Sequence, residues 1–189
     1  MMECRLALEQ SLESHKNAIL VFTRDLISIA SENPPGNHYG ECVDRIRAEM
    51  DRLGLPVKVL EAPGFPERPR YTLLSFYGDG RRTLYFHGHY DVVPAQSPDQ
   101  FTPRVESGRL HGRGSADMKA GLASMIYATA LLKECRIPLE GRVGLCIVAD
   151  EETGGQGGSR YLDEVGLLGA DGVAMLTPAA SAKRNDSGS

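Results

Sequence analysis

The sequence predicts a layered α/β domain, and two patterns lead to this prediction. Segments with the composition of strands alternate with segments of helical spacing in the second half of the chain. The segment 142–149 is apolar almost throughout, which is typical of a strand buried on both faces of a sheet. The chain has 189 residues, of which 41% are hydrophobic, and this suits one globular domain with a substantial core.

The first part of the chain is predicted to be helical. Apolar residues recur with near-helical spacing over residues 4–30, which predicts one long helix or two short ones. The sequence SENPPGN at 31–37 ends this region, because proline cannot continue a helix. Residues 40–53 predict a further helix, which ends at Gly54.

Three segments with the composition of strands follow, at residues 57–60, 71–77 and 83–87. The turn Gly-Asp-Gly at 78–80 predicts that the last two form a hairpin. Residues 94–104 are a proline-rich loop.

The remaining elements alternate between helix and strand. A helix is predicted at 116–132, a buried strand at 142–149, a helix near 157–167 and a short strand near 172–176. Residues 179–189 are small and polar, and we expect a disordered tail there.

Composition excludes several classes of function. The net charge is −4 and no basic run occurs, so we expect no nucleic-acid partner. No apolar segment is long enough to span a bilayer and no signal peptide is visible, so we expect no membrane partner. The four cysteines form no Cys-x-x-Cys pair, which favours a reducing, cytoplasmic location.

His89 and Asp91 lie two residues apart at the end of an apolar run. On an extended chain, side chains at this spacing point to the same side. One of them can therefore bind a metal ion, while the other accepts a hydrogen bond from the second ring nitrogen and fixes the tautomer.

Three further carboxylates fall where ligand sites form in α/β sheets. Glu151 and Glu152 follow the buried strand 142–149, and Asp117 lies where a loop enters a helix. An imidazole with several carboxylates suits zinc or a similar divalent ion. A lone carboxylate such as Asp117 can bridge two metals, and one of two adjacent glutamates can bind metal while the other acts as general base.

Each motif by itself has another explanation. His87 is expected to be a strand residue with a polar partner in the core and no functional role. The segment from Gly112 to Asp117 mimics part of a dinucleotide-binding fingerprint, but the third glycine is missing. Glycines within 154–158 are typical of a phosphate loop, but no Gly-Lys-Ser/Thr sequence follows them. The order and spacing of the motifs together favour the metal site.

Three signature-like segments occur in order along the chain: LYFHGHYDVVP, LHGRGSADMKAG and VADEETGGQGGSRYL. Together they resemble the acetylornithine deacetylase and succinyl-diaminopimelate desuccinylase family, which belongs to the dizinc amidohydrolases and peptidases. SENPPGN also resembles the family's stretch after the first helix. The resemblance implies a three-layer, zinc-peptidase-like α/β catalytic domain over residues 1–178, with a central mixed, mostly parallel sheet and without the family's lid domain.

The resemblance also implies a role for each candidate residue. His89 would bind one metal ion, and Asp91 would orient it. Asp117 would bridge two zinc ions, and Glu152 would bind the second ion; cobalt or manganese are alternatives to zinc. Glu151 would be the general base that activates water and later protonates the leaving amine. The implied reaction is hydrolysis of an N-acyl amino acid or a small peptide amide.

The chain departs from the family pattern at two metal ligands. Leu176 or Thr177 stands where the family has a further carboxylate, and the family's late histidine has no counterpart in the 189 residues. Each metal would keep two protein ligands, fewer than the three usual for catalytic zinc. We therefore expect weak metal binding and little or no hydrolysis by this chain alone.

Two explanations of this departure stay open, a truncated or altered enzyme and a purposeful short paralogue. Under either one, the lid domain and most of the family homodimer interface would be missing. The alternative function is a non-catalytic remnant or binding module on the same fold, and a nucleotide-binding α/β protein is a more remote one.

Overall fold

Within residues 2–167 and 172–175, which the computed structural model describes, five strands form a central sheet with helices on both faces. The helices are α1 (Met2–Ser28), α2 (Tyr39–Arg52), α3 (Lys119–Glu134) and α4 (Ser159–Glu164). The strands of the central sheet are β1 (Lys58–Ala62), β2 (Arg70–Tyr77), β3 (Thr83–His89), β6 (Arg142–Val148) and β7 (Gly172–Met175). A separate two-stranded ladder pairs β4 (Arg104–Glu106) with β5 (Arg109–His111).

The central sheet is mixed, as predicted. Its strand order is β1-β2-β6-β3-β7. Strand β2 is antiparallel to both of its neighbours, whereas β6, β3 and β7 run parallel to one another. Strands β1, β6, β3 and β7 therefore share one direction, and β2 alone opposes them.

The predicted hairpin between residues 71–77 and 83–87 is wrong. Strand β6 lies between β2 and β3 and pairs with both of them. The reason is the apolar character of β6, in which every residue from Val143 to Val148 is buried, so that it occupies the centre of the sheet. The turn at 78–80 instead crosses the start of β6, and a Cβ on Gly80 would overlap the backbone at Gly141.

Helices on the two faces give the three predicted layers. Helices α1, α2 and α3 cover one face and form the main core with β2 and β6, including Phe22, Leu26, Ile46, Leu73, Leu122 and Leu145. Helix α4 covers part of the other face, where Leu162 packs with Leu74, Tyr85, Cys146 and Val148. Burial of these side chains from water is the main source of stability for such layers.

Several boundaries differ from the predicted ones. The region predicted as one or two helices is the single helix α1. The helix predicted at 116–132 begins at Lys119, so Asp117 lies in the loop before it. The proline-rich loop contains a single 3₁₀ turn, Pro98–Phe101. The predicted tail at 179–189 lies outside the described residues.

Across the part of the chain that the structure describes, no helix has both the length and the apolar character needed to cross a membrane.

Candidate metal centre

The parallel pairing of β3 with β6 brings the candidate residues to one edge of the sheet. His89, the last residue of β3, is in register with Val148, the last residue of β6. Asp91 lies two residues after the end of β3, and a 3₁₀ turn at Glu151–Thr153 follows β6. Because the carboxyl ends of parallel strands meet at one edge, residues far apart in sequence converge there.

His89 lies at the centre of this group and is only 2% exposed. Its Nδ1 atom lies 3.0 Å from the carbonyl oxygen of Asp91 and 3.3 Å from Asp91 Oδ1. Its Nε2 atom lies 3.3 Å from Asp117 Oδ1 and 3.7 Å from Glu151 Oε2. Asp91 thus engages one ring nitrogen and leaves the other facing carboxylates, which is the arrangement of an oriented metal-binding histidine.

Asp91 is fully buried and is itself held on several sides. Its carboxylate accepts the backbone N–H groups of Glu151 and Glu152, at 3.3 Å and 3.1 Å. Burial alone would raise the pKa of this carboxyl, but hydrogen bonds from His89, Asn33 and the Glu152 N–H lower it. The carboxylate therefore fixes both the imidazole and the turn that carries the two glutamates.

The ligand atoms of His89, Glu151 and Glu152 all lie within 4.8 Å of one another. Asp117 joins this cluster through His89 Nε2, and its side chain is 58% exposed. Four of the five predicted site residues therefore lie in one cluster. The fifth, Asp91, contacts His89 and the backbone of the turn that carries the two glutamates. The chemistry of the donor set, one imidazole nitrogen and several carboxylate oxygens, fits a divalent ion such as zinc.

The electrostatics of the cluster also fit a cation. Burial lowers the pKa of His89, but the hydrogen bond and charge of Asp91, with the charges of Glu151 and Asp117, raise it to about 9. Burial raises the pKa of the Glu152 carboxyl, and the neighbouring carboxylates add to this effect. Excess negative charge at a partly buried site favours whatever positive charge can enter it.

A cleft of about 270 Å³ opens beside the cluster. Its lining includes both Asp117 and Glu152, together with Val93, Gly112, Arg113, Gly114, Ser115 and Ala116. A larger cavity of about 660 Å³ lies on the α4 face and is lined by none of the candidate site residues. The smaller cleft gives a small molecule access to Asp117 and Glu152.

The sequence prediction missed Asp150 and its partners. Asp150, next to the glutamate pair, is 3% exposed and has a left-handed backbone with φ of 62°. It forms an ion pair of 2.7 Å with Arg70 and accepts a hydrogen bond of 3.1 Å from the Tyr39 hydroxyl. This buried ion pair anchors the start of the turn that carries Glu151 and Glu152.

Lys119 was also missed, because a lysine in sequence predicts an exposed side chain. It is fully buried, and its Nζ atom donates to the carbonyl oxygens of Leu26 and Ile29, each at 2.7 Å. Burial lowers its pKa. Lys119 fastens the start of α3, two residues after Asp117, to the end of α1.

Asn33 is the third missed residue, and it contacts Asp91, Asp150 and Thr153. Its signal in the sequence was the SENPPGN segment, which was interpreted as the end of a helix and as part of the family resemblance, with no role for Asn33 itself. His87 has the predicted polar partner, since its Nε2 lies 2.9 Å from Ser159 Oγ. Leu176 and Thr177 lie outside the described residues, so their placement relative to the cluster stays a prediction.

Comparison with known proteins gives consistent matches. The model of peptidase family M20/M25/M40 matches residues 85–182. A succinyl-diaminopimelate desuccinylase from Herminiimonas arsenicoxydans is 32% identical over 138 residues, which are 70% of this chain and 35% of the relative. An N-formyl-4-amino-5-aminomethyl-2-methylpyrimidine deformylase from Halalkalibacterium halodurans is 28% identical over 153 residues, 77% of this chain and 35% of the relative.

The fold also matches solved structures. The dipeptidase Dug1p of Saccharomyces cerevisiae superimposes with a TM-score of 0.73 at 21% identity, covering 90% of this chain and 40% of that one. At this identity the likeness concerns the fold alone. The chain spans about a third of the length of the curated relatives it matches.

Proposed function

Because the chain belongs to peptidase family M20/M25/M40, we propose that its cluster of acidic residues around His89 holds divalent metal for the hydrolysis of an amide bond. One observation carries this proposal. The Nε2 atom of His89 faces Asp117 and Glu151, while Asp91 engages the other ring nitrogen. A histidine oriented in this way is prepared to give its free nitrogen to a metal ion.

His89, Asp117 and Glu152 are the proposed metal ligands, with Asp117 shared between two zinc ions. Cobalt and manganese are alternatives, because the same donor types bind them. A bound divalent ion would polarise the amide carbonyl and lower the pKa of water. Asp91 takes part by holding the imidazole ring and both glutamate N–H groups in place.

Glu151 is the proposed general base. Its side chain is 44% exposed, so water and substrate can reach its Oε2 atom, which lies 3.7 Å from His89 Nε2. In the proposed reaction Oε2 takes a proton from the attacking water and later gives it to the nitrogen of the leaving amine. The cleft lined by Asp117 and Glu152 would admit the acyl or peptide part of the substrate.

The proposed substrates are N-acyl amino acids or small peptide amides. The names of the relatives support this class, since a desuccinylase and a deformylase each remove an acyl group. The chain spans 35% of the length of each of these two relatives, so its hydrolysis of this substrate class is a proposal.

A non-catalytic binding module is the second candidate, and one observation favours it. Thr177, or Leu176 beside it, replaces a carboxylate ligand expected from the resemblance. The ion held by His89 would then keep two protein ligands, fewer than the three usual for catalytic zinc, and would bind weakly. The prediction for the 189 residues alone is therefore weak metal binding with little or no hydrolysis.

The test combines metal titration with amine release. The purified chain, H89A and E151Q are titrated with Zn²⁺ and then supplied with N-succinyl, N-formyl and N-acetyl amino acids and dipeptides. Zinc-dependent amine release that both variants abolish supports the hydrolase. Saturable zinc binding that H89A alone abolishes, without amine release, supports the binding module. Zinc binding unaffected by H89A contradicts both.

A further inference from the structure

We propose that Asn33 is a positioning residue that sets the spacing between the two segments carrying the metal ligands. Asn33 lies outside residues 85–182, which the family model matches. The inference rests on the proposed metal site and adds a residue that acts through Asp91 and the turn Glu151–Thr153.

The side chain of Asn33 connects three acceptors from two different segments. It is 2% exposed, and its Nδ2 atom lies 2.9 Å from Asp91 Oδ2 and 2.8 Å from Thr153 Oγ1. The same atom lies 3.3 Å from Asp150 Oδ1. An amide nitrogen carries two N–H groups, so it can bond the two near acceptors fully while the third stays a longer contact.

The backbone of Asn33 is fixed to the segment that carries Asp91. The Asn33 N–H donates to the carbonyl oxygen of Val92 at 2.8 Å, and the Val92 N–H donates to that of Ser31 at 3.0 Å. The Ser31 hydroxyl also donates to the carbonyl oxygen of Tyr90 at 2.6 Å. These hydrogen bonds therefore fix the position of the Asn33 backbone relative to the segment that follows β3.

Two of the three acceptors of the Asn33 side chain flank the glutamate pair in the sequence. Asp150 directly precedes the glutamate pair, and Thr153 directly follows it. The contacts of Asn33 with Asp150 and Thr153 therefore restrain the turn that carries Glu151 and Glu152. Asp91 accepts the two N–H groups of the same turn. Asn33 thus closes a ring of hydrogen bonds that holds the end of β3 at a fixed distance from the end of β6.

This placement predicts an effect on metal affinity. Residues that hydrogen-bond to metal ligands and orient them typically contribute about 10–100-fold to metal affinity. Replacing Asn33 by alanine removes both strong donors and leaves Asp91 with one partner fewer. Thr153 is exposed, so T153V removes one contact of the ring without opening the core.

Asn37 provides the matched control. It lies in the same turn region, and among the described residues its side chain forms no hydrogen bond, whereas its N–H donates to the carbonyl oxygen of Glu32. N37A therefore repeats the chemical change of N33A four residues away without touching the ring.

The experiment measures Zn²⁺ affinity by calorimetry and the visible absorption spectrum with Co²⁺, for the wild type, N33A, T153V and N37A. Thermal unfolding curves identify a temperature at which the wild type and the three variants are all folded, and the measurements are made at that temperature. We expect about 10–100-fold weaker zinc binding and an altered Co²⁺ spectrum for N33A. We expect a smaller change in the same direction for T153V, and wild-type behaviour for N37A.

The outcomes separate this inference from the proposed function. Folded N33A that binds zinc as the wild type does, with an unchanged Co²⁺ spectrum, overturns the positioning role and leaves the metal site intact. An equal loss in N33A and N37A also overturns it. A wild-type chain without saturable metal binding overturns the proposed function, and the positioning role with it.

Discussion

Asp91 lies behind His89, with its Oδ1 atom 3.3 Å from the Nδ1 atom of the imidazole, and both residues are buried. The same carboxylate accepts two backbone N–H groups from the glutamate turn. One buried carboxylate therefore orients the histidine and holds the end of β6 beside it.

The substitution D91N tests this relationship. Asparagine has nearly the same shape but offers one acceptor oxygen in place of two, so His89 and the glutamate turn lose part of their support. We expect zinc affinity to fall about 10–100-fold, measured by calorimetry. D163N changes an exposed aspartate on α4 in the same way and is expected to have no effect. Equal affinities for wild type and D91N would show that Asp91 does not orient the site.

Glu49 gives a prediction for the pH dependence of stability. It is 5% exposed, and its carboxylate accepts hydrogen bonds from Arg45, Arg52 and the Tyr127 hydroxyl. Burial alone would raise its pKa, but these hydrogen bonds lower it below the ordinary value of 4.5. The stabilisation is therefore complete above pH 4.5 and is lost as the pH falls through the lowered pKa.

The variant E49Q carries no titrating group at this position. We expect it to be less stable than the wild type by about 2 kcal/mol at pH 7, because charged hydrogen bonds are replaced by neutral ones. Urea unfolding between pH 7 and pH 3 should show this difference shrinking as the wild type loses its contribution. A difference that stays constant or grows toward low pH would disprove the assignment.

The ion pair between Arg70 and Asp150 predicts a large effect on stability. The side chains are 9% and 4% exposed, and Arg70 also lies over the rings of Tyr39 and Phe65. R70M leaves the Asp150 charge buried without its partner, which should lower the free energy of unfolding by about 3 kcal/mol. R68M changes an exposed arginine and should lie within about 0.5 kcal/mol of the wild type. Similar urea midpoints for R70M and R68M would contradict the prediction.

Gly158 should tolerate no side chain. A Cβ at this position would overlap the carbonyl oxygen of Ala149, the residue that follows β6. We expect G158A to lower the free energy of unfolding by about 1–3 kcal/mol, because the backbone or β6 must shift. G40A is the matched control, since a Cβ on Gly40 in α2 meets nothing within 4 Å. Chemical denaturation of both variants checks this, and equal stabilities would contradict it.

Local patterns were sufficient to predict most elements, but strand pairing was not visible in them. The apolar run at 142–149 identified a buried strand because its composition requires cover on both faces. The Gly-Asp-Gly turn suggested a hairpin because short turns usually join neighbours. The insertion of β6 between β2 and β3 depends on which strands pair most favourably across the whole sheet. The sequence of a short segment contains no information about this choice.

The same distinction holds for the candidate centre. His89, Asp91, Asp117, Glu151 and Glu152 carry metal-binding chemistry in their own side chains, so the order and spacing of their motifs, with the family resemblance, selected them. Asn33 and Lys119 act only through partners from distant segments. An asparagine before two prolines predicts a turn, and a lysine predicts exposure. Their roles follow from the acceptors that the fold brings to them.

The central claim is that His89 and the carboxylates around it share one metal ion or a pair. Anomalous diffraction at the zinc absorption edge, from crystals of the zinc-soaked chain, tests this most directly. We predict an anomalous peak about 2.0–2.1 Å from His89 Nε2, with a carboxylate oxygen of Asp117 or Glu152 at about 2.0–2.2 Å. Zinc found only elsewhere, for example between His15 and Glu134 or between His38 and Glu41, would contradict the claim.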